Sequence, residues 1–91
     1  MISKAAYEMN KSYAQAISEA INDYYDGSDY KNISEMVKAF NAVEPDAPVS
    51  ESTFRTWLHH KSVPDLYYVV RLAEFMDMDL YDLIYSRKED E

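Results

Sequence analysis

Apolar residues recur at intervals of three and four along nearly the whole chain, and they hardly ever alternate with polar residues. This spacing gathers apolar side chains on one face of an α-helix, whereas a half-buried strand needs strict alternation. One glycine and three prolines in 91 residues offer few turns between such segments. The sequence therefore predicts an all-α fold, and its length suits a single compact domain.

The first helical pattern covers the amino-terminal third and ends at the sequence DGSD, where Gly27 is predicted to adopt a left-handed conformation. Two starting points remain open. Ser12 and Gln15 have the spacing of a capping box, and the helix can equally continue from an amino-terminal helical extension at residues 1–11. The predicted inward positions are Ile2, Ala5, Met9, Tyr13, Ala16, Ile17, Ala20, Ile21 and Tyr24.

A second helix is predicted to begin at Asn32, whose side chain can cap the backbone amide of Glu35 while Glu35 reaches back. Two prolines then predict a loop over residues 43–49, because proline removes a backbone donor and biases its predecessor away from helix. A third helix follows from about Ser50. The predicted inward residues are Ile33, Met36, Val37 and Phe40 in the second helix, and Phe54, Trp57 and Leu58 in the third.

Two further helices complete the pattern. Ser62, Pro64 and Asp65 predict the start of a fourth helix, which has more apolar residues than one stripe and is expected to be covered from several sides. Asp79 and Asp82 predict the first turn of a fifth helix. The predicted inward residues are Leu66, Val69, Val70, Leu72, Ala73 and Met76 in the fourth helix, and Leu80, Leu83 and Ile84 in the fifth.

Several classes of protein are disfavoured by the composition. There is no cysteine for disulfides or thiolate chemistry, no glycine-rich phosphate loop and no apolar run of membrane-spanning length. His59 and His60 are adjacent, so on a helix they point about 100° apart and suit a shared metal poorly. We expect a cytoplasmic domain over residues 1–88 with an acidic tail at 89–91, without enzymatic activity, metal or cofactor, and outside the membrane.

The net charge of −8 opposes binding to nucleic acid, because lysine and arginine dominate contacts with the phosphate backbone. The charge is not spread evenly. Residues 50–71 carry three basic and two acidic side chains, whereas every other part of the chain is net negative. If this protein touches DNA, residues 50–71 are the predicted place.

The spacing over residues 49–84 resembles the phage-repressor family, the Cro and lambda-repressor type of five-helix DNA-binding domain. In that family the recognition helix has an apolar residue followed three positions later by an aromatic one, matched here by Phe54 and Trp57. The resemblance implies a lambda-repressor-like fold with a helix-turn-helix at residues 32–60 that includes the long 43–49 loop. The later matches are Pro64 after the helix, the Leu72–Ala73 pair, and the closing pair Leu83 and Ile84.

The resemblance also implies roles for individual residues, with the third helix lying in the major groove of double-stranded DNA. Glu51 and Ser52 would approach base edges, Arg55 would pair with guanine or a phosphate, and Lys61 would contact a phosphate. Few basic contacts per subunit imply a homodimer on two half-sites. The predicted DNA-binding residues are Lys31, Asn32, Glu51, Ser52, Thr53, Arg55, Thr56, His59 and Lys61.

The chain departs from the family pattern in three places. Ile33 and Val37 stand where the first motif helix usually has glutamine and alanine, which removes one expected DNA contact. The loop is longer than usual and carries Glu44 and Asp46, which repel phosphate. Asp77 replaces a glycine after the fourth helix, a position that aspartate tolerates because it enters the left-handed region more readily than most residues.

Two functions are compatible with this pattern: a small DNA-binding regulator, and a protein-binding module of the same fold whose acidic surface engages a basic protein. The second class includes antirepressors, antitoxin-like proteins and phage-type inhibitors. Tyrosine is abundant and is enriched at interfaces, although partial burial explains it equally well. The tyrosines that cannot all lie in one core are Tyr24, Tyr25, Tyr67, Tyr68, Tyr81 and Tyr85.

Overall fold

The computed structural model describes the backbone of residues 4–84, and the side chains of residues 13–84. Within those residues the predicted all-α class is confirmed, because there are five helices and no strand. The Cα radius of gyration is 13.3 Å, close to the value of about 13 Å expected for a compact chain of this size. The helices are α1 (Lys4–Asp26), α2 (Ile33–Val43), α3 (Glu51–Leu58), α4 (Leu66–Phe75) and α5 (Leu80–Ile84).

The long helix α1 continues from the amino-terminal region, so Ser12 does not begin it. Its described inward face includes Ile17 and Ile21, which are almost fully buried. The predicted inward residues Ile2, Ala5 and Met9 lie outside the described side chains.

The predicted left-handed glycine is wrong, because Gly27 does not have a positive φ. Helix α1 ends at Asp26 through ordinary hydrogen bonds from the Gly27 amide to Asp23 and from the Ser28 amide to Tyr25. Left-handed geometry occurs after α3 and α4 instead, at His60 (φ 42°) and Asp77 (φ 55°).

The core is organised around the ring of Phe40 on α2. Its centroid lies 5.5 Å from that of Phe54, 6.5 Å from that of Trp57 and 5.4 Å from that of Phe75. Phe54 and Trp57 are buried, as their spacing predicted. Leu83 on α5 closes the core and is fully buried.

Helix α3 lies between two other helices, because α1 and α2 both pack against it. Helix α1 also contacts α5, while α4 contacts α2 and α5. The inner side of α3 is therefore held from two directions, and its outer side is left to solvent.

Two expectations for α4 are wrong. The helix begins after Asp65, so Pro64 precedes it, and the hydroxyl of Ser62 contacts Thr56 rather than capping α4. The helix is not covered on all sides either. Leu66 is 73% exposed and Val70 is 38% exposed, because α2 and α5 cover only part of its circumference.

The loop from α2 to α3 is fixed by two side chains. The Asn41 amide donates to the Val49 carbonyl at 2.9 Å and accepts from the Val49 amide at 2.8 Å. Arg71 on α4 is buried and donates to the carbonyls of Ala47 at 2.7 Å and Phe40 at 3.1 Å. This loop is long, but its backbone is anchored to both α2 and α4.

Candidate nucleic-acid interface

Helix α3 begins with a capping contact that fixes its first turn. The hydroxyl of Ser50 accepts from the Thr53 amide at 3.1 Å, which satisfies one of the free amides at a helix start. Because Phe54, Trp57 and Leu58 face inward, the remaining positions face outward. Among the predicted DNA-binding residues of this segment, Ser52, Thr53, Arg55, His59 and Lys61 are exposed, whereas Glu51 and Thr56 are half-buried.

The other end of α3 is tied to α1. The hydroxyl of Ser18, a buried residue, donates to the Leu58 carbonyl, and the Asn22 amide donates to the same carbonyl at 3.2 Å. Sequence reasoning assigned no role to either residue. The one available signal was a serine among alanines and isoleucines on the inward face of α1, since a buried hydroxyl needs a partner.

Glu51 and Arg55 are bonded to each other one turn apart. The Glu51 carboxylate accepts from Nε of Arg55 at 2.9 Å and from its Nη2 at 2.7 Å. The hydrogen bond from Arg55 lowers the pKa of the Glu51 carboxyl, and the Ser34 side chain makes a smaller contribution in the same direction. Each side chain keeps 40% or more of its surface in contact with solvent, so the pair is weak and can open for a ligand.

The two threonine hydroxyls are engaged locally. Thr53 accepts from the Ser50 hydroxyl at 3.1 Å, and Thr56 donates to the Thr53 carbonyl at 2.6 Å and lies 2.7 Å from the Ser62 hydroxyl. In the part of the chain that the structure describes, the side chains of Ser52, His59 and Lys61 have no such partner. Among the predicted DNA-binding residues of α3 and its following loop, these three are immediately available to a ligand.

The start of α2 carries the remaining predicted residues, Lys31 and Asn32, and both are exposed. The Asn32 side chain caps the Glu35 amide at 2.9 Å, as predicted. The Glu35 carboxylate accepts from the Lys31 amide at 3.0 Å rather than from the Asn32 amide. Helix α2 packs against α3, so both predicted groups of DNA-binding residues lie on one pair of packed helices.

The charge available at this surface is smaller than the sequence suggested. Arg71, one of the three cations of residues 50–71, is buried under Ala47 and Phe40 and does not reach the α3 face. The exposed cations of this segment are Arg55 and Lys61, against the carboxylates of Glu51 and Asp65. The face is thus close to neutral on a protein that is otherwise strongly acidic.

Comparisons of the chain with protein-family models, with curated proteins and with solved structures found no match in any of the three. Among the side chains of residues 13–84, no group of three histidine or acidic residues is placed to hold a metal ion. Over residues 4–84, none of the helices combines the length and apolar character needed to cross a membrane.

Proposed function

We propose that this protein is a small transcriptional regulator that binds double-stranded DNA and places α3 in the major groove. The observation that carries the proposal is the fixed, outward-facing polar side of α3. The helix is capped by Ser50 at its start, held through the Leu58 carbonyl at its end, and exposes Ser52, Arg55 and His59. A rigid helix with polar side chains directed outward is how many regulators read base edges.

The roles within this face follow from the chemistry of each group. Arg55 leaves Glu51 to pair with guanine or phosphate, and Ser52 and His59 contact base edges or the groove wall. Lys61, Lys31 and Asn32 position the protein on the backbone without specifying sequence. The hydroxyls of Thr53 and Thr56 stay hydrogen-bonded within the protein and stabilise the shape of the binding surface. Glu51 accepts a hydrogen bond from cytosine N4 once Arg55 has moved away from it.

The small number of exposed cations implies that one subunit binds weakly. A homodimer on two half-sites supplies the missing affinity, and its salt dependence is moderate because few phosphates are neutralised per subunit. The proposed regulator is cytoplasmic and acts without a metal or cofactor.

The proposal is tested by gel shift with random DNA and with DNA from upstream of the protein's own coding sequence. We expect binding at about 50 mM salt that weakens toward about 200 mM. Replacing Arg55 with alanine should weaken binding to a preferred site by about 1–3 kcal/mol, whereas Lys38→Ala, on the exposed side of α2, should have little effect. No binding at low salt by the folded protein would reject the proposal.

A second candidate function is a protein-binding module of the antirepressor, antitoxin-like or phage-inhibitor kind. It is favoured by the net charge of −8 and by an apolar groove that lies away from α3. The two functions use different surfaces, so one chain can carry both.

A further inference from the structure

An apolar groove lies between the carboxyl-terminal end of α2 and the outer side of α4. Its volume is about 400 Å³, within the range of about 300–1,000 Å³ typical of ligand-binding pockets. Phe75 and the almost fully buried Phe40 line it, and their ring planes lie at 90° to each other. None of the residues predicted to bind DNA lines this groove.

The sides of the groove expose large apolar side chains. Val43 is 64% exposed, Tyr67 is 49% exposed and Val70 is 38% exposed. Leu66, four residues before Val70 and on the same side of α4, is 73% exposed and extends the apolar surface beyond the groove. Isolated exposed apolar residues are ordinary, but a contiguous set beside a groove marks an interaction site.

The border of the groove is acidic. Glu44 at the end of α2 and Glu74 on α4 line it, and both are exposed. The one cation among the lining residues, Arg71, is turned to the carbonyls of Ala47 and Phe40 and stacks on the Phe40 ring at 4.4 Å. The carboxylates therefore face an incoming ligand without a neutralising partner in the wall.

We propose that this groove binds an amphipathic helix of another protein, one that inserts large apolar side chains and carries lysine or arginine beside them. A groove between two helices with exposed aliphatic and aromatic walls suits the apolar stripe of such a helix. The basic residues satisfy Glu44 and Glu74 and match the net charge of −8. A second copy of this chain is a poor occupant, because it brings a second pair of acidic borders into the same contact.

This interaction does not depend on DNA binding, since it uses neither α3 nor the loop that follows it. The test is a selection of random peptides displayed on phage against the whole protein, with a counter-selection against the bare support. Enriched peptides are synthesised and their affinity is measured by fluorescence anisotropy. We expect helical peptides with apolar residues at intervals of three and four and an excess of lysine and arginine.

The chain offers a close control for the apolar contact. Val63 and Val70 are both 38% exposed, and Val63 lies in the segment between α3 and α4, outside the groove. Val70→Lys should weaken a selected peptide by at least about tenfold, as expected for a central apolar contact, whereas Val63→Lys adds the same charge with little effect. Equal effects of the two substitutions would overturn the proposal.

The acidic border is tested in the same assay. Neutralising Glu44 and Glu74 together to glutamine should weaken the peptide several-fold and reduce its salt dependence. The control neutralises Asp23 and Asp29, which are exposed on α1 and the connection after it, and should change little. Failure to enrich any peptide, or enrichment of acidic ones, would overturn the proposal. So would sedimentation showing a dimer that Val70→Lys dissociates, because a second copy would then occupy the groove.

Discussion

At the scale of single residues, polar side chains that reach across the sequence determine how the loop and α3 are held. Arg71 bonds carbonyls that lie 24 and 31 positions away, and Ser18 bonds one 40 positions away. Nothing in local spacing indicates such partners, because they depend on how the helices pack. By contrast, the caps by Asn32 and Ser50 involve residues three positions apart and were predictable.

Arg71 should contribute more to stability than any exposed cation. Arg71→Met removes two charged hydrogen bonds and leaves the Ala47 and Phe40 carbonyls without their donors, so we expect a loss of about 2–3 kcal/mol in the free energy of unfolding. Urea denaturation measures it. Arg55→Met is the control and should cost clearly less than Arg71→Met, because the Arg55–Glu51 pair is exposed to solvent. Equal losses would contradict the structural role given to Arg71.

Glu51 should titrate below its ordinary pKa. Arg55 lowers the pKa of this carboxyl from 4.5, so an NMR titration should find a lower value, and Arg55→Ala should return it toward normal. Because the folded-state pKa is lowered, the pair stabilises α3 at pH values above the ordinary pKa of a glutamate. This contribution is lost as the pH falls through the lowered pKa. An unchanged titration in Arg55→Ala would show that the pair is not formed in solution.

At the scale of helices, periodicity identified which face of α3 is buried and did not identify how fully α4 is covered. The spacing of three residues places Phe54 and Trp57 on the same side of α3, because a helix repeats every 3.6 residues. It says nothing about the number of neighbouring helices, so the spacing predicts Leu66 and Val70 in the core although they face solvent. This exposure leaves Val70 in the wall of the groove and Leu66 on the apolar surface beyond it.

The connection from α2 to α3 should depend on one side chain. Asn41→Ala removes both hydrogen bonds to Val49, leaving that amide and carbonyl without partners, and we expect a loss of about 1–3 kcal/mol in unfolding free energy. Amide hydrogen exchange should quicken over residues 44–50 more than in α1. In the matched substitution Asn22→Ala, the Ser18 hydroxyl still donates to the Leu58 carbonyl, and amide exchange in the loop should not change. Uniform loss of protection would show that Asn41 acts on the whole fold instead.

At the scale of the whole molecule, a net charge of −8 on 91 residues sets up self-repulsion that salt relieves. The number of charged residues can be counted from the sequence, but their positions on the folded protein cannot. Arg71 counted toward a positive α3 segment until its burial removed it from the surface. The α3 face is consequently close to neutral rather than positive, on a protein whose other segments carry the surplus of carboxylates.

Salt should therefore act in opposite directions on folding and on the proposed DNA binding. Raising salt from about 50 to about 200 mM should raise the Tm, because screening weakens repulsion among carboxylates, and should weaken DNA binding, because counterions compete for phosphate. Calorimetry and gel shift on the same samples measure both. The Asp23→Asn, Asp29→Asn double variant, with less charge to screen, should show a smaller rise in Tm. A Tm that falls with salt would show that attractive ion pairs outweigh the repulsion.

Arg71 lines the groove and also donates a hydrogen bond to the backbone of the loop that leads into α3. A ligand in the groove that shifts the Arg71 guanidinium changes its hydrogen bond to the Ala47 carbonyl, three residues before the Ser50 cap. If such an occupant alters the affinity of α3 for DNA by some factor, DNA must alter the affinity of the groove for that occupant by the same factor. One buried arginine would then link the groove thermodynamically to the proposed DNA-binding surface, so that a protein partner would act as inducer or corepressor of the proposed regulator without touching DNA.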